Sequence, residues 1–293
     1  MQKNKETLLV PIDFNEQSMF AMERSYVAAP FLKLNIVLLY VFEESGISDS
    51  LLTPDEINNK IQEKLNVIAK VAAEKSGMEV STLIKKGKAY KQILETSQEV
   101  DAQFILMGTN NASENIRMDK NSIGSNTLKV IRQSKIPVIT INGKKLSRFV
   151  HNILLPLDLT KETRQKVTNA IYIAKSFGAR ITVVSVLWSK KDKDLKDELM
   201  QQLNQVRWFI EDANIECSSE LIEITGGERM LAPSILKFVD KKADIDLIMV
   251  MTQQENKLVE FFIGSAAQSI IRMSKIAVMS ITPDEIGNEQ LIF

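Results

Sequence analysis

IGSNTLKVIRQSKIPVITI (123–141) and IGSAAQSIIRMSKIAVMSI (263–281) are two versions of one pattern in the same chain. Both begin with Ile-Gly-Ser, and Ile-Arg-x-Ser-Lys-Ile recurs in step before a final apolar run. The pattern predicts a helix that begins at the Gly-Ser pair and is followed by a strand. Because the pattern occurs twice, we expect a duplicated fold.

The repeat extends over nearly the whole chain of 293 residues. Near the N-terminus, LLVPIDFNEQS (8–18) matches ILLPLDLTKET (153–163). We therefore predict two tandem units, residues 1–145 and residues 146–293, joined near the polar, basic stretch NGKKLSRF (142–149).

Each unit alternates between apolar runs and segments with helical spacing. In the first unit, the runs TLLVPID, NIVLLYVF, MEVSTLIKKG, AQFILMGT and IPVITIN predict strands. The clearest helix lies between the second and third runs, with Thr53 as its N-cap, Pro54 in its first turn and Gly77 at its end. This order predicts the α/β class, with an open parallel sheet and helices on both faces in each unit.

The composition limits the class of protein. Lys+Arg and Asp+Glu are equal at 37 each, which argues against a basic nucleic-acid-binding surface. The single cysteine, Cys217, excludes an intrachain disulfide and favours a reducing compartment. No apolar stretch has the length of a signal-peptide core or of a membrane span. We therefore expect a cytoplasmic protein that binds neither nucleic acid nor a membrane.

Ligands of parallel α/β sheets bind beyond the carboxyl ends of the strands, so the residues that follow each strand are candidates for a site. Asp13 follows the first strand, and Asp158 follows its counterpart in the second unit. A carboxylate at Asp13 either accepts hydrogen bonds from a ligand or caps the next helix, for which Asn15 is also a suitable N-cap. The sequence leaves both roles of Asp13 open.

Two glycines follow the fourth strand of the first unit. Gly108 allows a close approach to the backbone, and Gly124-Ser125 begins a helix whose first N–H groups and positive dipole end attract anions. The Ser125 hydroxyl adds a donor. These residues predict a phosphate cradle; the alternative is that Gly124-Ser125 is only a good helix start.

The sequence lacks the residues that several other kinds of site require. Neither GxxxxGK[ST] nor GxGxxG occurs, which argues against a P-loop or a dinucleotide fingerprint. The only histidine, His151, lies at the joint between the units without a cluster of Cys or carboxylates, so we expect no metal site and no Ser-His-Asp triad. No residue stands out as a base or nucleophile, so we expect no enzyme activity beyond slow, incidental ATP hydrolysis.

Three features together resemble the universal stress protein family: the strand-Pro-x-Asp start, the long second helix, and a pattern close to Gly-x-x-Gly-(nine residues)-Gly-[Ser/Thr] before the last helix and strand. The resemblance implies five-stranded, adenine-nucleotide-binding domains, and the family includes members that bind ATP and members that do not. It therefore implies ATP or another adenine nucleotide as the ligand and leaves a role for Mg²⁺ open.

The resemblance also implies roles for individual residues of the first unit. Asp13 would contact the adenine, the backbone of Val41 would flank the base, and Gly87 would lie near the nucleoside. The ribose and phosphates would be held by Gly108, Gly124, Ser125 and Asn126.

Domains of this family pair through their last strands. The resemblance therefore implies that residues 136–141 and 276–281 meet within one chain, which makes the chain a pseudo-dimer, and it leaves a homodimer open. Apolar edge strands need such a partner to avoid nonspecific association.

The first unit departs from the family pattern in one loop. The second glycine of the pattern falls at Asn111, and fifteen residues (109–123) separate Gly108 from Gly124 where the pattern has twelve. Asn110 or Asn111 would substitute in part, because asparagine tolerates left-handed backbone conformations.

The second unit departs at the glycines themselves. The expected glycine positions hold Met251 and Gln254, and Gly264-Ser265 is followed by Ala266 and Ala267, which carry no side-chain donors. We therefore expect the second site to be degenerate and the first unit alone to bind a nucleotide.

The leading hypothesis is a nucleotide-binding regulatory protein of stress adaptation. The alternative is an interaction scaffold in which neither unit binds a nucleotide. A third hypothesis is an ATP-using ligase or pyrophosphatase. Those enzymes carry an SGGxDS-type loop or a HIGH-type motif after the first strand. This chain has PIDFNEQS and PLDLTKET there, which argues against such an enzyme.

Overall fold

A computed structural model describes residues 6–43, 53–109, 123–142, 150–157, 163–187, 193–225, 227–252 and 264–282. The chain divides into two compact units, Met1–Lys144 and Lys145–Phe293. Each described unit alternates strands and helices, as the sequence predicts.

The elements of the first unit begin with a strand and end with a strand. They are β1 (Thr7–Ile12), α1 (Glu16–Leu32), β2 (Asn35–Phe42), α2 (Pro54–Ser76), β3 (Val80–Lys86), α3 (Ala89–Glu99), β4 (Ala102–Gly108), α4 (Ser125–Gln133) and β5 (Val138–Ile141).

The second unit repeats this order, with one short 3₁₀ turn added before its third helix. Its elements are β6 (Asn152–Pro156), α5 (Thr163–Phe177), β7 (Arg180–Leu187), α6 (Lys193–Asp212), β8 (Cys217–Glu223), the 3₁₀ turn (Glu228–Met230), α7 (Leu231–Lys242), β9 (Leu247–Met251), α8 (Ser265–Met273) and β10 (Ala277–Ile281).

The strand order is the same in both units. The first sheet runs β3-β2-β1-β4-β5 and the second runs β8-β7-β6-β9-β10. The strand pairs within each unit are parallel. The predicted fold class, an α/β fold with five-stranded parallel sheets, is confirmed.

The order of the strands determines where a ligand can bind. From β1 the chain moves outward through β2 to β3 and then returns to β4 on the other side of β1. The crevice between the carboxyl ends of β1 and β4 is therefore the topological switch point, the usual ligand site of open parallel sheets.

Local sequence rules explain the elements that frame this crevice. In α2, Thr53 and Glu56 form a capping box, and Gly77 ends the helix with φ 69°. These are the predicted cap and stop, and a good N-cap stabilises a helix by about 1 kcal/mol. In β1, Leu8, Leu9 and Val10 are completely buried, as expected of a strand covered by helices on both faces.

Candidate functional site

A cleft opens at the carboxyl edge of the first unit's sheet, at the switch point. Among the predicted site residues, Asp13, Val41, Gly108 and Asn126 line it. They come from the ends of three strands and the first turn of α4, elements that are far apart in the sequence. The topology therefore brings four of the seven predicted residues together.

The other three predicted residues, Gly87, Gly124 and Ser125, are not among the residues that line the cleft in the described part of the unit. Gly124 is the N-cap of α4 and Ser125 is its first residue, directly before Asn126. Gly87 connects β3 to α3 with φ 134°, a backbone conformation that favours glycine.

The apolar residues around the cleft belong largely to the core. Leu39 is completely buried, and Ile12, Ile93 and Met107 are at most 6% exposed. The cavity volume is about 80 Å³, compared with about 300–1,000 Å³ for typical ligand pockets. A complete nucleotide would therefore extend beyond this cavity.

The carboxylate of Asp13 is held in place by Asn15. The Asn15 backbone N–H donates to Oδ1 of Asp13 (3.1 Å), and Nδ2 of Asn15 donates to Oδ2 (2.6 Å). Asn15 is itself the N-cap of α1, because its Oδ1 accepts from the backbone N–H of Ser18 at 2.8 Å. The helix-cap alternative for Asp13 is therefore wrong: Asn15 caps α1, and Asp13 is an exposed, oriented acceptor.

An aromatic cluster lies beside this turn. Phe14 stacks on Tyr40 with 5.2 Å between ring centroids, and the Lys64 ammonium lies 4.1 Å from the centroid of Phe14. Phe14 has φ 64°, which is strained for a bulky side chain. The ring contacts thus secure an unfavourable backbone conformation next to Asp13.

The negative charge of Asp13 also affects the pKa of Tyr40. Burial, and then the negative charge of Asp13, raise the pKa of the Tyr40 phenol. Sequence reasoning missed Phe14, Tyr40 and Lys64, since each is ordinary for its own element and only the fold brings them together.

Gly108 has a structural role that the sequence did not reveal. A Cβ atom at this position would lie 2.7 Å from the backbone carbon and oxygen of Gln17, at the start of α1. The missing side chain therefore lets α1 approach the sheet, whether or not a ligand is present. The Gly108 carbonyl accepts a hydrogen bond from the hydroxyl of Thr127 at 3.1 Å, which joins β4 to α4.

Backbone contacts fix the start of α4. The Gly124 N–H donates to the Thr109 carbonyl (2.7 Å), and the Thr109 N–H donates to the Ile141 carbonyl (3.0 Å). Gly124 provides no side-chain cap for this helix. The first turn of α4 therefore faces the cleft with Asn126 and Thr127 in fixed positions.

Glu43 binds the start of α3, whose first residue lines the cleft. Its Oε1 accepts from the backbone N–H of Ala89, the first residue of α3, at 2.9 Å. Because Ala89 lines the cleft, this hydrogen bond fixes the position of one lining residue. Glu43 is two residues beyond Val41, and the sequence analysis overlooked it.

The corresponding edge of the second unit is built differently. Lys166 of α5 is only 7% exposed, and its ammonium donates to the carbonyl of Pro156 at the end of β6. In the repeat, Lys166 aligns with Ala21 and Pro156 aligns with the cleft-lining Pro11. A long cationic side chain thus reaches the end of β6, where the first unit has a small residue.

Two further substitutions distinguish the units. Met251 ends β9 at the position of Gly108, and Ala267 replaces Thr127, so the hydroxyl contact from α4 to the end of β4 has no counterpart. Asp158 and Gln254 of the second unit lie outside the described residues, as do Asn110 and Asn111 of the first.

The described residues outside the cleft also bear on metal binding and thiol chemistry. In the described ranges, no group of three or more His, Cys, Asp or Glu side chains is placed to hold a metal ion. Burial raises the pKa of the Cys217 thiol to about 12, which makes it a poor nucleophile. Among the helices in these ranges, none combines the length and the apolar character that a bilayer crossing requires.

Comparisons with known proteins agree with this architecture. The sequence model of the universal stress protein family matches residues 5–142 and again residues 150–281. A protein of Staphylococcus saprophyticus named after the same family is 26% identical over 152 residues, which cover 47% of this chain and 87% of the relative. A universal stress protein of Methanocaldococcus jannaschii is 25% identical over 151 residues, covering 47% of this chain and 84% of the relative.

A solved structure matches both units at once. The crystal structure of a universal stress protein from Archaeoglobus fulgidus superposes with a TM-score of 0.75 and 21% identity, covering 96% of this chain and all of that chain. This likeness shows the same fold, and the two matches to the family model cover most of the sequence. The chain therefore belongs to the universal stress protein family and carries two of its domains in tandem.

Proposed function

We propose that the first unit binds an adenine nucleotide and that the protein acts as a nucleotide-responsive regulator of stress adaptation. The observation that carries the proposal is the cleft at the switch point, where Asp13, Val41, Gly108 and Asn126 come together. An apolar lining with a few convergent polar groups is the usual form of a small-molecule site.

The chemistry of the cleft supports a specific arrangement. The base would lie beside Val41, and the Asp13 carboxylate would accept hydrogen bonds from amino or hydroxyl groups. The sugar and phosphates would extend toward Asn126 and the first turn of α4, where backbone N–H groups favour anions.

The second unit would serve as a structural partner without a ligand. Lys166 reaches the end of β6, Met251 stands at the position of Gly108, and Ala267 lacks the hydroxyl of Thr127. Each change removes space or a polar group that the first unit supplies.

Equilibrium dialysis of the full-length chain against ATP, ADP and AMP tests this proposal. We expect saturation at one nucleotide per chain, and mass spectrometry of the denatured protein should detect any nucleotide that co-purifies. Two equivalent sites per chain would contradict the assignment to the first unit. The absence of binding at millimolar nucleotide would contradict nucleotide binding itself.

One observation favours the interaction scaffold as a second candidate function. On α6, Trp208 is 62% exposed and its neighbour Phe209 is 43% exposed. Large exposed aromatic side chains are typical of protein-protein contacts. The scaffold becomes the leading function if dialysis detects no nucleotide.

A further inference from the structure

The outer face of α6 combines exposed aromatic side chains with carboxylates. Leu203 and Ile210 are completely buried and hold the inner side of α6 against the second unit. By helical spacing, Trp208 and its neighbour Phe209 lie on the outer side, and both are exposed. Five exposed carboxylates share that side: Asp194, Asp197, Glu198, Glu211 and Asp212. These aromatic and acidic residues together form the acidic face of α6.

The C-terminal end of α6 has an unfavourable charge for a helix end. The carbonyl end of a helix carries a partial negative charge, which favours a nearby cation. The last turn of α6 contains no basic residue, although it contains both Glu211 and Asp212. Arg207, one turn earlier, lies 3.7 Å from Glu211 and offsets part of this charge. A positively charged surface against this end would therefore stabilise α6.

The outer face of α2, the corresponding helix of the first unit, has the opposite charge. Leu65 and Ala72 are completely buried on its inner side, whereas Val67 is 66% exposed and Val71 is 38% exposed on its outer side. Four exposed lysines and two exposed glutamates surround these valines: Lys60, Lys64, Lys70 and Lys75, with Glu63 and Glu74. These residues form the basic face of α2. Both faces thus have an apolar part bordered by charge, and the sign of the charge differs.

The charges at these faces are available to a partner. Neither Lys70 nor Asp212 forms an ion pair within the ranges that the structure describes. Two acidic faces would repel each other, because like charges brought together at an interface are costly. An acidic face against a basic face gains attraction and also removes the exposed aromatic and aliphatic side chains from water. The surface that best matches the acidic face of α6 is therefore present on the chain itself, at α2.

We propose that the acidic face of α6 docks against the basic face of α2 in a second copy of the chain. Trp208 and Phe209 would pack against Val67 and Val71, and the carboxylates of α6 would lie beside the lysines of α2. Because every chain carries both faces, a two-fold dimer makes this contact twice. The inference goes beyond nucleotide binding and does not depend on it.

Analytical ultracentrifugation of the full-length chain, from micromolar to sub-millimolar protein, tests the docking. We expect the mass of a dimer at the higher concentrations. Trp208→Ala should weaken the dimer by about thirtyfold or more, because a buried interface tryptophan is typically a hot spot of about 2 kcal/mol. Tyr172→Ala is the matched control, since Tyr172 is an exposed aromatic residue of α5 outside both faces. A monomer at every concentration, or a dimer unaffected by Trp208→Ala, would overturn the proposal.

Charge reversal identifies which faces meet. Lys70 suits this test because Lys64 and Lys75 lie over aromatic rings of their own unit. Lys70→Glu and Asp212→Lys should each weaken the dimer by about tenfold, and the chain with both changes should recover much of the loss. Asp212→Lys also places a cation at the negative end of α6, so a weaker dimer would not reflect a less stable helix. A stronger dimer in Asp212→Lys, with no effect of Lys70→Glu, would show α6 against α6 and contradict the pairing with α2.

The dependence on salt provides a further check. Raising the ionic strength from about 0.01 M to 0.15 M shortens the Debye length from about 30 to 8 Å, so the dimer should weaken. A dimer that strengthens with salt would contradict charge attraction between the faces. Equilibrium dialysis against ATP distinguishes this proposal from the proposed function. A chain that binds a nucleotide but stays monomeric would overturn the docking alone, and a dimer that binds none would overturn the nucleotide site alone.

Discussion

Gly108 at the end of β4 lies so close to Gln17 of α1 that a Cβ atom on the glycine would be 2.7 Å from the Gln17 backbone. Backbone atoms of a helix cannot move aside as a flexible side chain can. The contact therefore joins Gly108, which lines the cleft, to α1, the helix that Asn15 caps.

The first prediction follows from this contact. Gly108→Ala should lower the free energy of unfolding by about 1–3 kcal/mol, the usual range for overpacking. Urea denaturation without any ligand measures it. Ser125→Ala, at an exposed position, should stay within about 0.5 kcal/mol of the wild type. Wild-type stability in Gly108→Ala would show that the contact is relaxed in solution.

Phe14 should be required for both stability and the geometry of Asp13. Phe14→Leu removes the stacking on Tyr40 and the contact with Lys64, and should destabilise the protein by about 1 kcal/mol. Because the neighbouring turn loosens, adenine ligands should also bind more weakly. Tyr40→Phe keeps the stacked ring and serves as the control. If binding is unchanged in Phe14→Leu, the cluster does not position Asp13.

The carboxylates after the first strands should differ between the units. Asp13→Asn should weaken binding of adenine ligands about tenfold, since a hydrogen bond to a charged group contributes about 1.5–3 kcal/mol. Asp158→Asn is the matched variant of the second unit and should leave the affinity unaltered. Titration of both variants distinguishes the units, and the reverse result would assign the ligand to the second unit.

A substitution at Gly124 tests whether the start of α4 belongs to the ligand site. Gly124 has φ −57°, which any residue adopts, so Gly124→Val should fold. Its side chain would fill the space that a ligand's phosphate needs, and AMP binding should be nearly lost. Ser125→Ala should weaken AMP binding by about 1 kcal/mol, the net value of one hydrogen bond. Full AMP affinity in Gly124→Val would exclude α4 from the site.

The Cys217 thiol should make stability depend on pH in the alkaline range. Its pKa is raised from 9.0 to about 12 by burial, so folding favours the neutral thiol. Between these two values the unfolded chain ionises while the folded chain does not, and stability should fall as pH rises. Cys217→Ala should reduce this decline in denaturation experiments at pH 8 to 10. The same slope in the variant would assign the decline to other groups.

Much of the fold could be predicted from the sequence because its causes are local. The apolar run of β1 and the caps Thr53 and Gly77 depend on neighbouring residues, and the structure has each where it was expected. The duplication is visible because Ile-Gly-Ser and Ile-Arg-x-Ser-Lys-Ile recur. The pairing of the two last strands within one chain, and a homodimer, stay predictions.

The site was only partly predictable because much of it depends on contacts between distant residues. Nothing around Gly108 indicates that Gln17 needs its missing side chain, and nothing around Phe14 indicates the contact with Lys64. Glu43 is an ordinary polar residue after a strand until the fold places it at the N-terminus of α3. Lys166 likewise has the sequence context of a typical exposed lysine of a helix, yet it is buried.

Because of Lys166, no single substitution gives the second unit the geometry of the first. Shortening Lys166 alone would leave the Pro156 carbonyl without its donor and Met251 still in place. Replacing Met251 by glycine alone would leave the lysine across the end of β6. The geometry of the first unit therefore needs at least these two substitutions together. An engineered ligand site in the second unit therefore has to begin from a double variant at Lys166 and Met251.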